Sequence, residues 1–571
     1  MSQANPEAAA RAGVNISNLL LLVAAGLLFL SFGYTEMAGS DMWWHIAAGR
    51  ELLQTQTLWM VDDWSFSAHG QAWHNHEWLA DIIYYIWVSA WGVESLVYWK
   101  WLVVIATFMT LLAVLARETG NPLVALVCAG FAIANAAPFI DVRPHLYSLL
   151  CFCLLLWLAL GRRPKTWSLG LLFVIWVNLH GGFFFGLMAL AILLFPWRNL
   201  TMGTVRGAAG IALVCVLACV LNPSGVKAFG YPLAYAFDNS SPYRQLAEWL
   251  SPFKAGGITS QLFFQLMWLP LLGIAYALPG IRKHTGIPWE GIALTLLTLA
   301  MAVTSRRFVP LYGICLALMI APLLSLALNA LRVGKISLLL AILALVYAGW
   351  RMLPYPLSRF PAFHYLTAEY LYPVDLLDYA EANNISGNVY ALYNWGGYIH
   401  WRTDGRLKVF IDGRADTIYS DETYLEYTQV LDSAPGWIEK LEQSGADYVM
   451  WPYLRGHGQQ KLKELLDTGR WRPLYSDSVG WLLASTSVPE IAEPVQPGPG
   501  PWQDMGLAQL SAWSGKVEQA ITQAQRVRQS IPWHKDACNL LAESYRRQGK
   551  QSQAATVIAD CRSYFPSAYL R

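Results

Sequence analysis

Up to about residue 353 the chain is built from apolar runs long enough to cross a bilayer, and no ordinary soluble domain tolerates that pattern. The runs fall near 17–36, 94–116, 121–140, 146–161, 167–179, 183–197, 207–221, 261–279, 286–304, 308–328 and 334–352. They predict a polytopic α-helical membrane protein with about eleven spans. Composition agrees: of 571 residues 55% are hydrophobic and only 14% are charged, well outside the usual soluble range. A net charge of +2 gives no reason to expect a nucleic-acid partner. The first run, "NLLLLVAAGLLFLSFGY", carries no small-residue cleavage pattern and reads as a retained helix.

Basic residues orient the spans. Lys and Arg collect at "RET" (117), "GRRPK" (161), "WRNLTMGTVR" (197), "IRKH" (281) and "LRVGK" (331). The positive-inside rule puts those loops and the N-terminus in the cytoplasm. An odd number of spans then leaves the C-terminal region outside. Two outer segments, 37–93 and 222–260, are long. Within the first, "WLADIIYYIWVSAWG" (78–92) reads either as an interfacial amphipathic helix or as a further span that would reverse the topology after it.

The remainder divides by composition. Residues 1–354 form the transmembrane domain. Residues 355–487 alternate helical patterns with short β-rich runs such as "NVYALY", "LKVFID" and "DYVMW", which predicts an extracytoplasmic α/β domain on a parallel sheet. Residues 488–501, "PEIAEPVQPGPGP" within them, read as a flexible linker. Residues 502–571 repeat: Leu507/Leu541, Gly515/Gly549, Ala520/Ala554 and Pro532/Pro566 are each 34 residues apart. That period resembles tetratricopeptide helical hairpins, and two copies are too few to stand alone, so docking on the α/β domain or a protein partner is expected. Cys538 and Cys561 could form a bridge in an oxidising compartment, and no CxxC zinc motif is present.

The polar residues that could do chemistry cluster outside the membrane. "DMWWHIAAGR" supplies Asp41 and His45, four apart on one helical face, with Trp43 and Trp44 expected to anchor that helix in lipid headgroups. "DDWSF" supplies Asp62 and Asp63, and "WHNHEWL" supplies His74, His76 and Glu77. Carboxylates there suit a general base, with Asp41 first choice and Asp63 or Glu77 as alternatives. "DVRPH" places Arg143, "NLHGG" His180, and "TSRRF" Arg306 and Arg307 at outer turns. Arginines at membrane depth need anionic partners, and a lipid phosphate is one. In the α/β domain Trp395, Asp412 and Arg414 sit beside predicted strand ends, where open sheets bind ligands, and Asn394 reads as an N-cap. The "HNHE" stretch with His45 also leaves a divalent metal open.

These stretches resemble the GT-C superfamily of integral membrane glycosyltransferases, and in particular a bacterial branch carrying "DMWWH", "WHNHEWL", "NLHGG", "LNPSG", "EWLSP" and "YNWGGY…FIDGRAD". The resemblance covers roughly residues 15–487. It implies a bacterial inner-membrane enzyme that takes a sugar from a polyprenyl-phosphate lipid to an extracytoplasmic protein, lipid or polysaccharide acceptor. It also implies an acidic catalytic base in the first outer loop, matched here by Asp41. The Asp-Glu pair found in several such families is absent, because Met42 follows Asp41. The competing reading is a non-catalytic assembly or transport protein that recruits an envelope partner through its helical repeats.

Overall fold

A computed structural model describes residues 16–34, 41–162, 164–230, 232–233, 241–330, 336–352, 372–453, 455–496, 500–532 and 534–563. Among the described residues nine α-helices come first: α1 (Ile16–Gly33), α2 (Asp41–Thr55), α3 (Trp78–Trp91), α4 (Leu96–Thr119), α5 (Pro122–Ala136), α6 (His145–Ala159), α7 (Thr166–Leu179), α8 (Phe183–Leu194) and α9 (Met202–Ala218). Local chemistry sets their ends. Asn121 caps α5, accepting from the amides of Leu123 and Val124 with Pro122 at the first helical position, and α4 stops at the left-handed Gly120.

Every expected apolar run is helical, but the count of eleven crossings is not matched by length. Among the described residues three helices are long and apolar enough to cross a bilayer: Val93–Thr119, Pro122–Phe139 and Arg306–Asn329. A fourth counts if Gln261–Ala277 and Pro279–Thr285, bent by 95°, make one broken span. The other apolar helices run to 10–17 residues. The run 78–92 becomes α3, which packs on α2. The crossing is tight, because a Cβ on Gly49 would stand 2.1 Å from the Asp81 carbonyl oxygen.

The C-terminal domain holds a five-stranded sheet of β3 (Gly387–Ala391), β4 (Leu407–Val409), β5 (Tyr448–Pro452), β6 (Trp471–Ser476) and β7 (Gly480–Ser485), in the order β4-β3-β5-β7-β6. Strand β3 pairs in parallel with β4 and β5, whereas β7 runs antiparallel to β5 and β6. The expected parallel sheet is therefore mixed. The turn between β6 and β7 is too short for a crossover, so that pair must be a hairpin. A two-stranded ribbon of β1 (Met60–Val61) and β2 (Ala72–Trp73) belongs to the first outer loop.

Residues 501–562 fold as four helices, Pro501–Trp513, Val517–Ser530, Lys535–Arg547 and Gln551–Arg562, and the second hairpin starts 34 residues after the first. Cys538 and Cys561 are disulfide-bonded. The segment before them is held down: Asn383 exchanges two hydrogen bonds with the Val495 backbone, and the Ser478 amide donates to the Trp502 carbonyl. The described linker residues thus lie on the α/β domain, as do the first repeat residues.

The α/β domain sits on α2. A Cβ on Gly397 would meet the Trp44 backbone at 2.9 Å, and one on Gly413 would meet Asp41 Oδ1 and the Trp44 ring at 2.9 Å. Trp43 is buried edge-on against Tyr372 and Tyr398. This corrects the expected lipid anchoring of Trp43 and Trp44: both rings are core between the two domains. Gly397 of "WGGY" admits the α2 backbone, and Gly413 of "FIDGR" admits the Asp41 and Trp44 side chains.

Candidate active site

The first turn of α2, the start of α3 and three turns between helices converge outside the apolar bundle. At the rim, Asp41 Oδ2 lies 2.5 Å from Arg143 Nη2, and Arg143 Nη1 lies 2.6 Å from Glu248 Oε2. Glu248 Oε1 lies 3.3 Å from Arg307 Nη1. Arg307 continues to His180, 3.3 Å from Nη2 to Nε2, and its guanidinium covers the Trp249 ring at 4.7 Å. The result is a chain of alternating charge, Asp41–Arg143–Glu248–Arg307, drawn from residues far apart in sequence. Burial pushes the Glu248 carboxyl up, but Arg143 and Arg307 outweigh it and hold the group at about 2.

Behind that chain lies a carboxylate ringed by imidazoles. Glu77 Oε1 faces Nε2 of His180 at 3.6 Å and of His76 at 3.9 Å, and Glu77 Oε2 faces Nε2 of His45 at 3.8 Å. His45 Nδ1 bonds Asp81 Oδ1 at 2.6 Å, and Asn75 donates to the other Asp81 oxygen at 2.7 Å. This anchored carboxylate fixes the His45 ring so that Nε2 points at Glu77. His180 Nδ1 accepts from the Gly182 amide and bonds Ser148 Oγ. Burial lowers His45 and His76 to about 4 and holds His180 well below its ordinary value too, which favours the neutral ring at all three. Burial raises the Glu77 carboxyl from its ordinary value to about 7.

The sequence-predicted residues divide sharply. Asp41, His45, His76, Glu77, Arg143, His180 and Arg307 are brought together. His74 is exposed, and Asp63 is on the outside of the same loop, 3.6 Å from Lys408. Neither reaches the cluster, because the β1–β2 ribbon turns both outward. Arg306 is not free for a phosphate. Its side chain is fully buried, and its guanidinium donates to the carbonyls of Leu250, Ser251, Lys254 and Gly256. It clamps the end of the 222–260 segment and so positions Glu248. Trp395, Asp412 and Arg414 are buried as well, not surface contacts. Arg414 bridges Asp412 at 2.8 Å and Asp62 at 2.6 Å and lies over Trp64 at 4.3 Å. It thus ties the first outer loop to the α/β domain. Asn394 caps nothing, since the helix Gly396–Thr403 starts at Trp395 without a side-chain cap.

Glu248 and Asn75 complete the arrangement and were not singled out from sequence, whereas Asp81 is the charge that interrupts the apolar run 78–92. Two adjacent arginines at membrane depth demanded an anion, and the carboxylate of "EWLSP" in the long outer segment was the signal available. No group of three or more His, Cys, Asp or Glu side chains among the described residues is placed to hold a metal ion. The ligand set expected from "HNHE" is not assembled: His74 points away, and Asp81 holds one nitrogen of His45.

Arg306→Ala should therefore act on folding. It strands four carbonyls, and each buried unsatisfied group costs roughly 1–3 kcal/mol. A thermal-stability measurement in detergent should show clear destabilisation, and an unchanged melting point would refute the clamp.

This architecture is a helical bundle capped at one end by an α/β domain, with a charged site between them. No family model and no curated protein sequence matches the chain. Among solved structures it is similar to the Archaeoglobus fulgidus oligosaccharyltransferase in the apo form, with TM-score 0.52 and 12% identity over 93% of this chain and 86% of that one. It is also similar to the archaeal oligosaccharyltransferase AglB from the same organism in complex with an inhibitory peptide and a dolichol-phosphate (TM-score 0.50, 11% identity, 94% and 86% covered). The fold is like that of these oligosaccharyltransferases.

Proposed function

We propose that this chain is a membrane glycosyltransferase moving a sugar from a polyprenyl-phosphate donor to an extracytoplasmic protein or glycan, with inversion at the anomeric carbon. The observation that carries this reading is the Asp41–Arg143–Glu248–Arg307 chain. It offers two partly exposed guanidinium groups beside a partly exposed carboxylate at the outer end of the apolar helices. The AglB neighbour was solved with a dolichol-phosphate and a peptide, which fits a lipid donor and a protein acceptor here.

In this reading the acceptor's nucleophile attacks the anomeric carbon and its proton passes to Asp41. The bond from that carbon to the phosphate oxygen breaks, and the lipid phosphate leaves with the bonding pair. Arg143 and Arg307 take up its charge as it displaces Glu248, with the His180 ring beside them. Asp41 is the base because it stands at the rim, where an acceptor from water arrives. His45, one turn on, and His76 keep the Glu77 pocket neutral behind it. A second reading makes Glu77 the base, favoured by its titration near neutrality.

The proposal includes a multi-pass protein of the bacterial inner membrane with residues 355–571 outside. It also includes recruitment of a protein partner by the repeats, where Leu507, Leu510 and Trp513 are exposed along one helix. Donor use tests the arginines. In vesicles containing a polyprenyl-phosphate sugar, Arg307→Ala should weaken apparent donor affinity about 10- to 100-fold, the worth of a charge-assisted contact of roughly 1.5–3 kcal/mol. An unchanged donor dependence would remove Arg307 from the donor site.

A further inference from the structure

The opposite end of the bundle carries a second constellation that the proposed transfer does not use. Four of the loops that collect Lys and Arg, at 117, 161, 197 and 281, come together there around a cavity of about 370 Å³, within the ~300–1,000 Å³ typical of ligand sites. Glu118, at the end of α4, and Glu290, at the start of the helix Trp289–Thr304, supply carboxylates to its lining. Arg198 supplies a guanidinium at its exposed rim.

The backbone adds an acceptor. Pro322 lies inside the helix Val309–Ala330 and has no amide hydrogen, so it cannot satisfy the Leu318 carbonyl one turn earlier. Leu318 and Pro322 both line the cavity. Gly291 lets its helix pack closely against that turn, since a Cβ there would press to 3.3–3.4 Å from the Leu318 carbonyl group. Irregular backbone at membrane depth is tolerated where it lines a polar cavity. Arg117 does not fill the site with its own charge: besides Glu118 it is tied to the carbonyls of Trp157 and Leu160.

Acceptors within and a guanidinium at the mouth match a ligand with a primary ammonium at one end and a phosphate beside it. We infer that this cavity binds a phosphoethanolamine group, its ammonium donating to Glu118, Glu290 and the Leu318 carbonyl and its phosphate held by Arg198. An ammonium has three donors, and these groups supply acceptors for them. The group comes either on an inner-leaflet lipid or as the free compound.

The test uses the full-length protein in bilayer discs containing equal phosphatidylethanolamine and phosphatidylcholine, followed by native mass spectrometry. Retention of phosphatidylethanolamine over phosphatidylcholine by tenfold or more is expected, because N-methylation removes every ammonium donor. Glu290→Gln should cut that preference by roughly tenfold, the effect of one hydrogen bond to a charged group. Arg198→Ala, at an exposed position the fold tolerates, should lower retention of both lipids. Equal retention of the two lipids by the native chain, or a preference untouched by Glu290→Gln, would overturn the proposal. Millimolar O-phosphoethanolamine separates the sources: stripping of the lipid with binding of the free compound assigns the soluble ligand, and undisturbed lipid assigns the membrane lipid.

Discussion

Asp41→Asn should lower sugar transfer by about 10²–10⁴-fold, the usual worth of general-base assistance, while donor binding survives. The substitution keeps the shape of the side chain and a hydrogen-bonding oxygen for Arg143, so the ion-pair chain loses one charge and not its geometry. Asp41 is fixed from three sides: by the first turn of α2, by Arg143 at 2.5 Å and by Gly413 of the α/β domain, whose missing side chain leaves room for Oδ1. Turnover of purified variants, normalised to lipid donor bound, checks it. Near-normal turnover in Asp41→Asn together with loss in Glu77→Gln would move the base to Glu77.

The second large effect is a dependence on pH carried by Glu77. Its carboxyl is raised by burial from near 4.5 to about 7. The fold therefore disfavours the ionised form: the stability contribution is intact below about 4.5 and is lost as pH rises through about 7. Ionisation also places a new negative charge facing Arg307 and Arg143. Apparent donor affinity should then weaken roughly tenfold between pH 6 and 8, one pKa unit of coupling, and Glu77→Gln should abolish the slope. If Glu77 were instead the base, turnover would rise over the same interval. Turnover at saturating donor, followed over the same pH series, separates the readings, because it rises only if Glu77 is the base.

Much of the architecture was legible because apolar periodicity and turn residues act locally. The helices of the bundle lie on the apolar runs, the 34-residue repeat gives its two hairpins, and "NLHGG" gives a turn that carries His180. The site was half legible. Asp41 and His45 share a helical face by spacing alone, but which arginine meets which carboxylate depends on packing across more than a hundred residues. Arg306 and Arg307 look equivalent in "TSRRF". The chain turns between them, so that one guanidinium goes inward to backbone carbonyls and the other to Glu248 and Trp249. Trp43 and Trp44 read as lipid anchors because nothing local announces that the α/β domain will cover them. The sheet misled for a similar reason: β7 enters between β5 and β6, a long-range choice that alternation cannot encode.

The central claim is that this site moves a sugar off a lipid phosphate, and it can be tested without knowing the sugar. Cells lacking the chain are complemented with the native sequence or with Asp41→Asn, and polyprenyl-phosphate lipids and envelope glycans are analysed by mass spectrometry. The account predicts that one polyprenyl-phosphate-linked sugar accumulates, that one envelope glycan or glycoprotein loses a sugar, and that only the native sequence reverses both. Unchanged lipid and glycan pools in the deletion, or full reversal by Asp41→Asn, would contradict it.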